Sequence, residues 1–327
     1  MTSASKNPLH WVESMVRGEP VGLARLITQV ERRGADLATV MAEIHKRAHG
    51  APCIGITGPP GAGKSTIVDQ LIANYRKQSK SVGVIAVDPS SPFSGGAVLG
   101  DRIRMVRHAL DEGVYIRSLG TRGRHGGLSR ATRDIRSVLD AAGRDVILVE
   151  TVGVGQTELD VMEIADTTVV VLVPEAGDAV QTLKAGLLEI ADIFVVNKAD
   201  RDGADRMVGD LQNLVMLRGP RDGWETPVLS TSAVNGQGIT VLFDALAQHA
   251  AHLAKTGAGR TPGKRAARYI REILVERLEV NLESALETDP RVAPIVAAVA
   301  TGTLDAWTAA DRIASVLAAE ALLPKKT

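Results

Sequence analysis

The sequence predicts an α/β fold, a mostly parallel sheet held between helix layers, and two observations carry the prediction. Seven short runs rich in β-branched residues, at 53–57, 81–87, 114–118, 145–150, 167–173, 193–197 and 227–231, alternate with helix-length amphipathic stretches. These runs are apolar throughout rather than alternating, which marks strands covered on both faces, the usual condition of a parallel sheet between helices.

Taken in order, residues 8–49 show helical spacing through Leu23, Leu26 and Ile27, then Leu37, Val40, Met41 and Ile44, and stop at His49-Gly50 before Pro52. This is an N-terminal helical preface. A helix is expected over 67–78, directly after the first strand and a glycine-rich turn. After 238–240 the strand signals cease. A helix over 241–253 leads into KTGAGRTPGK at 255–264, a Gly/Pro hinge; one amphipathic helix over 265–281 and two shorter ones within 291–319 follow. The expected division is therefore 1–50 as a helical segment, 51–255 as the sheet domain and 256–327 as a C-terminal helical extension.

The bulk composition narrows the function classes. With 45% hydrophobic residues the 327-residue chain can bury a sizeable core. Lys+Arg and Asp+Glu both total 38, so no overall field draws it to nucleic acid or to an anionic membrane. The single cysteine, Cys53, falls in a predicted buried strand, which suits a reducing compartment. The N-terminus shows no apolar signal region, and no stretch approaches the roughly 18 apolar residues of a spanning helix. A cytoplasmic protein without nucleic-acid or membrane partners is expected.

GPPGAGKST, residues 58–66, fits G-x-x-x-x-G-K-[ST] between a strand and a helix. Backbone N–H groups must turn inward around a phosphate there, and Gly61 and Gly63 can take the dihedrals this requires. The following helix points its free N–H groups at the same anion. Lys64 would add charge at the β/γ phosphates, and Ser65 an oxygen for Mg²⁺. The fold class becomes that of a P-loop NTPase.

Asn197-Lys198-Ala199-Asp200 follows the sixth run and names the base. An Asp200 carboxylate can accept from both N1–H and the 2-amino group of guanine, an arrangement adenine does not offer. The Ser232-Ala233-Val234 turn after the seventh run could offer N–H groups to guanine O6. The residues expected around GTP or GDP are thus Gly58, Pro60, Gly61, Ala62, Gly63, Lys64, Ser65, Thr66, Gly153, Asn197, Lys198, Asp200, Ser232, Ala233 and Val234. Glu150, ending the fourth run, can hold a Mg²⁺-bound water, and the N–H of Gly153 can sense a γ-phosphate. Asp88 and Asp101 read either as members of the Mg²⁺ shell or as caps, Asp88 of a turn or helix and Asp101 of the helix after it.

With GITGPPGAGKST, VIAVDPSSPFSGGAVLGDRIRM, TRGRHGGLSRATRD, DVILVETVGVGQTE, PEAGDAVQTLKAGLLEIADIFVVNKAD and the STSA turn, the sequence resembles the MeaB/ArgK/MMAA family of P-loop GTPases over about residues 20 to 320. The resemblance implies a homodimeric GTPase related to the signal-recognition and metal-insertion GTPases (SIMIBI type). The partner it implies is a B12-dependent acyl-CoA mutase of the methylmalonyl-CoA mutase type; slow GTP hydrolysis stimulated by that partner is expected because no glutamine or arginine in the switches stands out as a built-in catalytic element. Such a protein gates delivery of adenosylcobalamin, which belongs to the mutase, and protects or reactivates it. Carried over by motif, Lys64, Asp101 and Glu150 would be catalytic, Ser65, Asp88, Asp101 and Glu150 would form the metal site, and Asp178, Gln181 and Lys184 would report nucleotide state to the partner. The chain departs from the family pattern at Glu175, where P-G-[AS]-G-D is usual, and at Arg124-His125.

Rival readings are a nickel-insertion-type GTPase and a small-molecule P-loop kinase. Against the first, His249 and His252 at i,i+3 on a predicted helix supply two ligands and no third, and read as a solvated helix face. Against the second stands the guanine motif. The basic stretch 255–277 holds one aromatic, Tyr269, and reads as a solvated face or dimer contact.

Overall fold

A computed structural model describes residues 7–19, 21–88, 106–108, 110–120, 127–151, 164–174, 186–257 and 262–317. Seven strands form one sheet: β1 Cys53–Thr57, β2 Val82–Asp88, β3 Val114–Gly120, β4 Val146–Glu150, β5 Thr167–Leu172, β6 Ile193–Asn197 and β7 Val228–Thr231. Their order is β3-β2-β4-β1-β5-β6-β7 and every pairing is parallel. Among the described residues, the helices of seven or more residues are α1 His10–Val16, α2 Gly22–Arg32, α3 Leu37–His45, α4 Lys64–Lys77, α5 Gly127–Ala141, α6 Ala204–Arg218, α7 Ile239–Thr256, α8 Pro262–Thr288, α9 Ala293–Ala300 and α10 Ala306–Leu317. No helix among the described residues is long and apolar enough to cross a membrane.

The apolar runs of β1, β2, β4, β5 and β6 become strands buried on both faces, as their composition requires, whereas the edge strands β3 and β7 are mostly half-buried. One face packs Ile56, Val84, Leu148 and Val171 against Ile67 and Leu71 of α4 and Leu242 and Leu246 of α7. The other packs Cys53, Ile85, Ile147 and Val149 against Ile135 and Leu139 of α5 and Leu26, Ile27 and Ile44 of α2 and α3. The N-terminal helices are thus part of the cover of the sheet. Arg33 of the α2 C-terminus pairs with buried Asp134 of α5 at 3.0 Å, and Glu31 of α2 with Arg117 of β3. Toward β6, Val170, Leu172, Phe194 and Val196 pack with Leu211 of α6.

Acids set the starts of the strands. Asp145, Asp166 and Asp192 each stand immediately before a strand, β4, β5 and β6. Each accepts an N–H at the start of the neighbouring strand: Ser81 N to Asp145 at 2.7 Å, Cys53 N to Asp166 at 2.9 Å, Thr168 N to Asp192 at 2.7 Å. The first N–H of a strand lacks a ladder partner, and a carboxylate satisfies it with a charge-assisted bond, at an exposed position for Ser81 and a buried one for Thr168. The Ser81 bonds, backbone first, hold Asp145 below the ordinary carboxylate range.

His249 departs from the solvated position its spacing suggests. It is buried, with Nδ1 2.8 Å from Thr167 Oγ1, its ring 4.8 Å from that of Trp224, and Nε2 3.8 Å from Asp192. His252, one turn on, is half-buried and its Nε2 lies 3.0 Å from the carbonyl of Asp222. His249 continues the buried face of α7 formed by Ile239, Leu242, Ala245 and Leu246, at the level where the strand starts supply polar partners.

The chain divides into two compact units, Met1–Thr261 and Pro262–Thr327. In the second, Ile270, Leu274, Leu278, Leu282 and Leu286 recur every fourth residue along α8 and are all exposed.

Candidate functional site

Because every strand is parallel, their C-terminal ends share one edge, and ligands of open α/β sheets bind in the crevice outside that edge. β1 delivers the loop 58–63 there, β4 delivers Glu150, β6 delivers Asn197 and the following loop, and β7 delivers the 232–237 turn. The glycines of the loop are there for space as well as for dihedrals. A Cβ on Gly58, at φ 137°, would run into the Val171 carbonyl, and one on Gly63, at φ 86°, into the Asn197 amide. Gly61, at φ 74°, lies in open space, so its requirement is conformational alone.

α4 begins at Lys64 with Gly63 at its N-cap and no side-chain cap, so its first N–H groups stay open toward the loop. The helix starts three residues before the apolar periodicity that predicted it, because Lys64, Ser65 and Thr66 carry no apolar signal. Lys64 is buried, and its ammonium donates to the carbonyls of Gly58 at 2.7 Å and Pro59 at 2.9 Å. The cation is thereby held over the cradle that a phosphate would fill. Ser65 Oγ donates to Glu150 Oε1 at 2.6 Å, and both residues are buried. A hydroxyl and a carboxylate in contact are the hard-oxygen donors that Mg²⁺ prefers, so the residues present fit that ion. Beside them Thr151 Oγ1 donates to Thr57 Oγ1 at 2.9 Å, and Thr151 N to the Ile56 carbonyl at 3.1 Å, tying the exit of β4 to the strand that feeds the loop.

Asn197 knits the site together. Its Nδ2 donates to the Ala62 carbonyl at 2.8 Å, while its Oδ1 accepts Thr231 Oγ1 at 3.0 Å and Ala233 N at 3.1 Å. Phosphate loop and base-side turn are therefore bound to one buried amide. Lys198 sits at φ 58°, a left-handed position that throws the chain outward to Asp200. Asp200 is exposed; its Oδ1 accepts Ser232 Oγ at 2.6 Å, and that bond above all lowers its pKa. An ionised, oriented carboxylate at an open position can accept two donors of a guanine edge. Ser232 and Ala233 are buried, whereas Val234 at the tip of the turn is 83% exposed.

The structure thus brings Gly58 to Thr66, Glu150, Asn197, Lys198, Asp200 and the 232–234 turn to one edge. Asp88 ends β2 on that edge, in register with Gly120. Asp101, Gly153, Asp178, Gln181 and Lys184 lie outside the described residues. Thr57, Thr151 and Gln70 belong to the site's framework without having been singled out in the sequence. The two threonines were legible as hydroxyls at the ends of apolar runs; Gln70 had no signal beyond being polar on a helix.

Known proteins resemble this chain closely. A Pyrococcus horikoshii protein described no further than as a GTPase is 45% identical over 308 residues, 92% of this chain and 96% of its own length. The GTPase ArgK of Escherichia coli is 36% identical over 75% of this chain and 77% of its own length. The mouse methylmalonic aciduria type A homolog, a mitochondrial protein, is 37% identical over 74% of this chain and 63% of its own length. Among solved structures, a LAO/AO transport system kinase superposes with a TM-score of 0.70 at 25% identity, covering 97% of this chain and 99% of that one. Residues 23–287, from the second helix of the sheet's cover through the phosphate and base loops to α8, match the family described as methylmalonyl-CoA mutase-associated GTPase MeaB, and the chain belongs to that family of GTP-hydrolysing proteins.

Proposed function

We propose that this protein is a GTP-driven chaperone of a B12-dependent acyl-CoA mutase, of the methylmalonyl-CoA mutase type, which gates adenosylcobalamin delivery to the mutase and protects or reactivates it. The family's description as mutase-associated is the observation that carries this reading. The cleft supports the chemical part. Lys64 and the loop N–H groups bind the phosphates, Asp200 and the Ser232–Val234 turn read guanine, and Asn197 keeps the two halves in register. Ser65 and Glu150, with Asp88 and Asp101, would hold Mg²⁺, which when bound neutralises charge on the β and γ phosphates. Lys64, Asp101 and Glu150 are the residues we assign to catalysis, Gly153 to γ-phosphate sensing, and Asp178, Gln181 and Lys184 to signalling toward the mutase. A homodimer through residues 256–327 is supported by the exposed stripe on α8, since an isolated helix leaves such a stripe in water and a second copy would cover it. A cytoplasmic location accords with a sequence that holds a single cysteine, the buried Cys53.

No side chain described in the cleft supplies an arginine finger, which leads us to a slow intrinsic rate completed by the partner. Single-turnover GTP hydrolysis, with and without purified methylmalonyl-CoA mutase, tests this: stimulation of about tenfold or more is expected, and rapid hydrolysis indifferent to any mutase would sink the chaperone reading. The kinase in the name of the structural relative gives a second reading one observation. Running the same assay with ATP decides it, because preference for ATP with phosphate passed to a small molecule would select the kinase. A nickel-insertion role is disfavoured by the sequence, which holds one cysteine and pairs His249 and His252 with no third ligand.

A further inference from the structure

Gln70 sits on α4 between the phosphate end of the helix and its core-facing turn, and its side chain leaves the helix altogether. Its Nε2 donates to the backbone carbonyl of Ala233 at 3.0 Å. Ala233 lies in the base-side turn, whose two ends are joined by Ser232 N to Gln237 O and Gln237 N to Ser232 O, both 3.1 Å. The N–H of Ala233 donates to Asn197, and its carbonyl accepts the Gly236 N–H at a longer 3.3 Å as well as Gln70. The turn is therefore gripped through both faces of one peptide residue, by Asn197 on one side and Gln70 on the other.

Beside this bond, Ala233 and Ile239 belong to the same buried core cluster as Ile67, Val68 and Leu71 of α4, but Gln70 supplies the directional bond from that helix to the turn's backbone. Its tip residue Val234 is exposed, and Gly236 and Gly238 flank it at φ 72° and 73°. The Ser232 hydroxyl is committed to Asp200 and takes the Asn235 amide at 3.0 Å, bonds that stay within the base side of the cleft. α4, by contrast, is rigidly seated: Ile67, Val68, Leu71 and Ile72 are all fully buried around Gln70. A donor projecting from that helix has a fixed origin relative to Lys64 and Ser65.

We propose that Gln70 is a positioning residue for base recognition, locking the Ser232–Val234 turn to the phosphate helix and thereby slowing nucleotide release. The inference rests on the guanine-nucleotide reading of the cleft and deepens it. Contacts from the turn to a base form only when the turn is in place, and they are the same before and after hydrolysis. Loss of the Gln70 bond is then a loss of uniform binding, which raises KM and leaves kcat alone.

The test uses the full chain and a fluorescent GDP. Gln70→Met keeps the length and removes the donor; release of the nucleotide should quicken about two- to tenfold, the range for one neutral hydrogen bond. The KM for GTP should rise by the same factor, with kcat within twofold. Inorganic triphosphate, which has no base, should bind both proteins equally. Gln70→Lys, which retains a donor of similar reach, should restore slow release, and Gln70→Glu, which lacks one, should behave as Gln70→Met and stands in for it if that variant does not fold. Unchanged GDP release in the donor-less variants overturns the proposal, as does an equal loss of triphosphate affinity, which would place the effect in the phosphate helix. Wild-type protein that retains no GDP would instead overturn the reading of the cleft itself.

Discussion

At the N-terminal edge of the sheet, Asp145, Asp166 and Asp192 precede their strands and close on backbone N–H groups of the neighbouring strand. At the C-terminal edge, Glu150, Asn197 and Asp200 end or follow theirs, and they hold hydroxyls, amides and one another's loops. Both edges set polar groups next to apolar strands. The difference lies in what remains to be done with them. The N-terminal network finishes the sheet: Asp192 also takes Arg221, and its carbonyl takes Trp224 Nε1 at 2.8 Å, so its acceptors are spent on the fold. The C-terminal network is built around glycines, an uncapped helix start and an exposed carboxylate, features that stabilise nothing by themselves and serve a ligand. In a parallel sheet, an acid before a strand and an acid after it have different prospects, because only the second faces the crevice.

Exchanging the consequences of mutation between the two edges would break this comparison. The largest effect is expected at Asp192→Ala, which deprives Arg221 and the Thr168 N–H of a buried carboxylate. Unfolding in urea should show a loss of about 3 kcal/mol, the low end for breaking a buried pair because Arg221 keeps some contact with water. GDP affinity below the unfolding transition should not change, and a collapse of affinity without loss of stability would remove the distinction.

Lys64→Ala should do the reverse. Two charge-assisted interactions with phosphate are lost, and GDP affinity should fall by about a hundredfold or more by calorimetric titration. The ligand-free melting temperature should hold or rise slightly, since removing a buried cation from loop carbonyls relieves its desolvation. A marked drop in melting temperature would make Lys64 a structural residue.

Asp200→Asn sharpens the comparison within the C-terminal edge. GTP affinity should drop about 10- to 150-fold, with affinity for XTP gained, because xanthine presents an acceptor where guanine presents its 2-amino group. Undiminished GTP binding with no gain for XTP would remove the base assignment. The pH dependence follows from the lowered pKa of Asp200. A depressed carboxylate stays ionised above its folded value, so guanine affinity should be flat from neutral pH downward and be lost only below the ordinary carboxylate range. Ser232→Ala removes the bond that lowers the pKa most, and the fall in affinity should then begin at higher pH.

Much of this was legible in one dimension. The strands were, because uniform burial leaves an unbroken apolar run. The phosphate loop and the base motif were, because each joins residue types that chemistry requires at fixed spacing. The start of α4 was missed by three residues because an anion-binding helix end is polar by design. The partner of His249 was not legible, since its hydrogen bond to Thr167 joins residues 82 positions apart. Gln70 was hidden for the same reason, its partner Ala233 being 163 positions away.

By itself, then, the sequence determined which local structures form and which chemistry they carry: apolar runs must be buried, a glycine loop before a lysine must turn its N–H groups inward, and an Asn-Lys-x-Asp loop suits guanine. Tertiary structure alone decided how those pieces are braced. Parallel pairing put the C-terminal ends of all seven strands on one edge and sorted the acids into those that cap strands and those that face the cleft. It also set Asn197 between Ala62 and Ala233, and Gln70 against the base-side turn. Such contacts depend on the distance between elements, which no residue spacing encodes, because the core packing that sets it sums over the whole sheet.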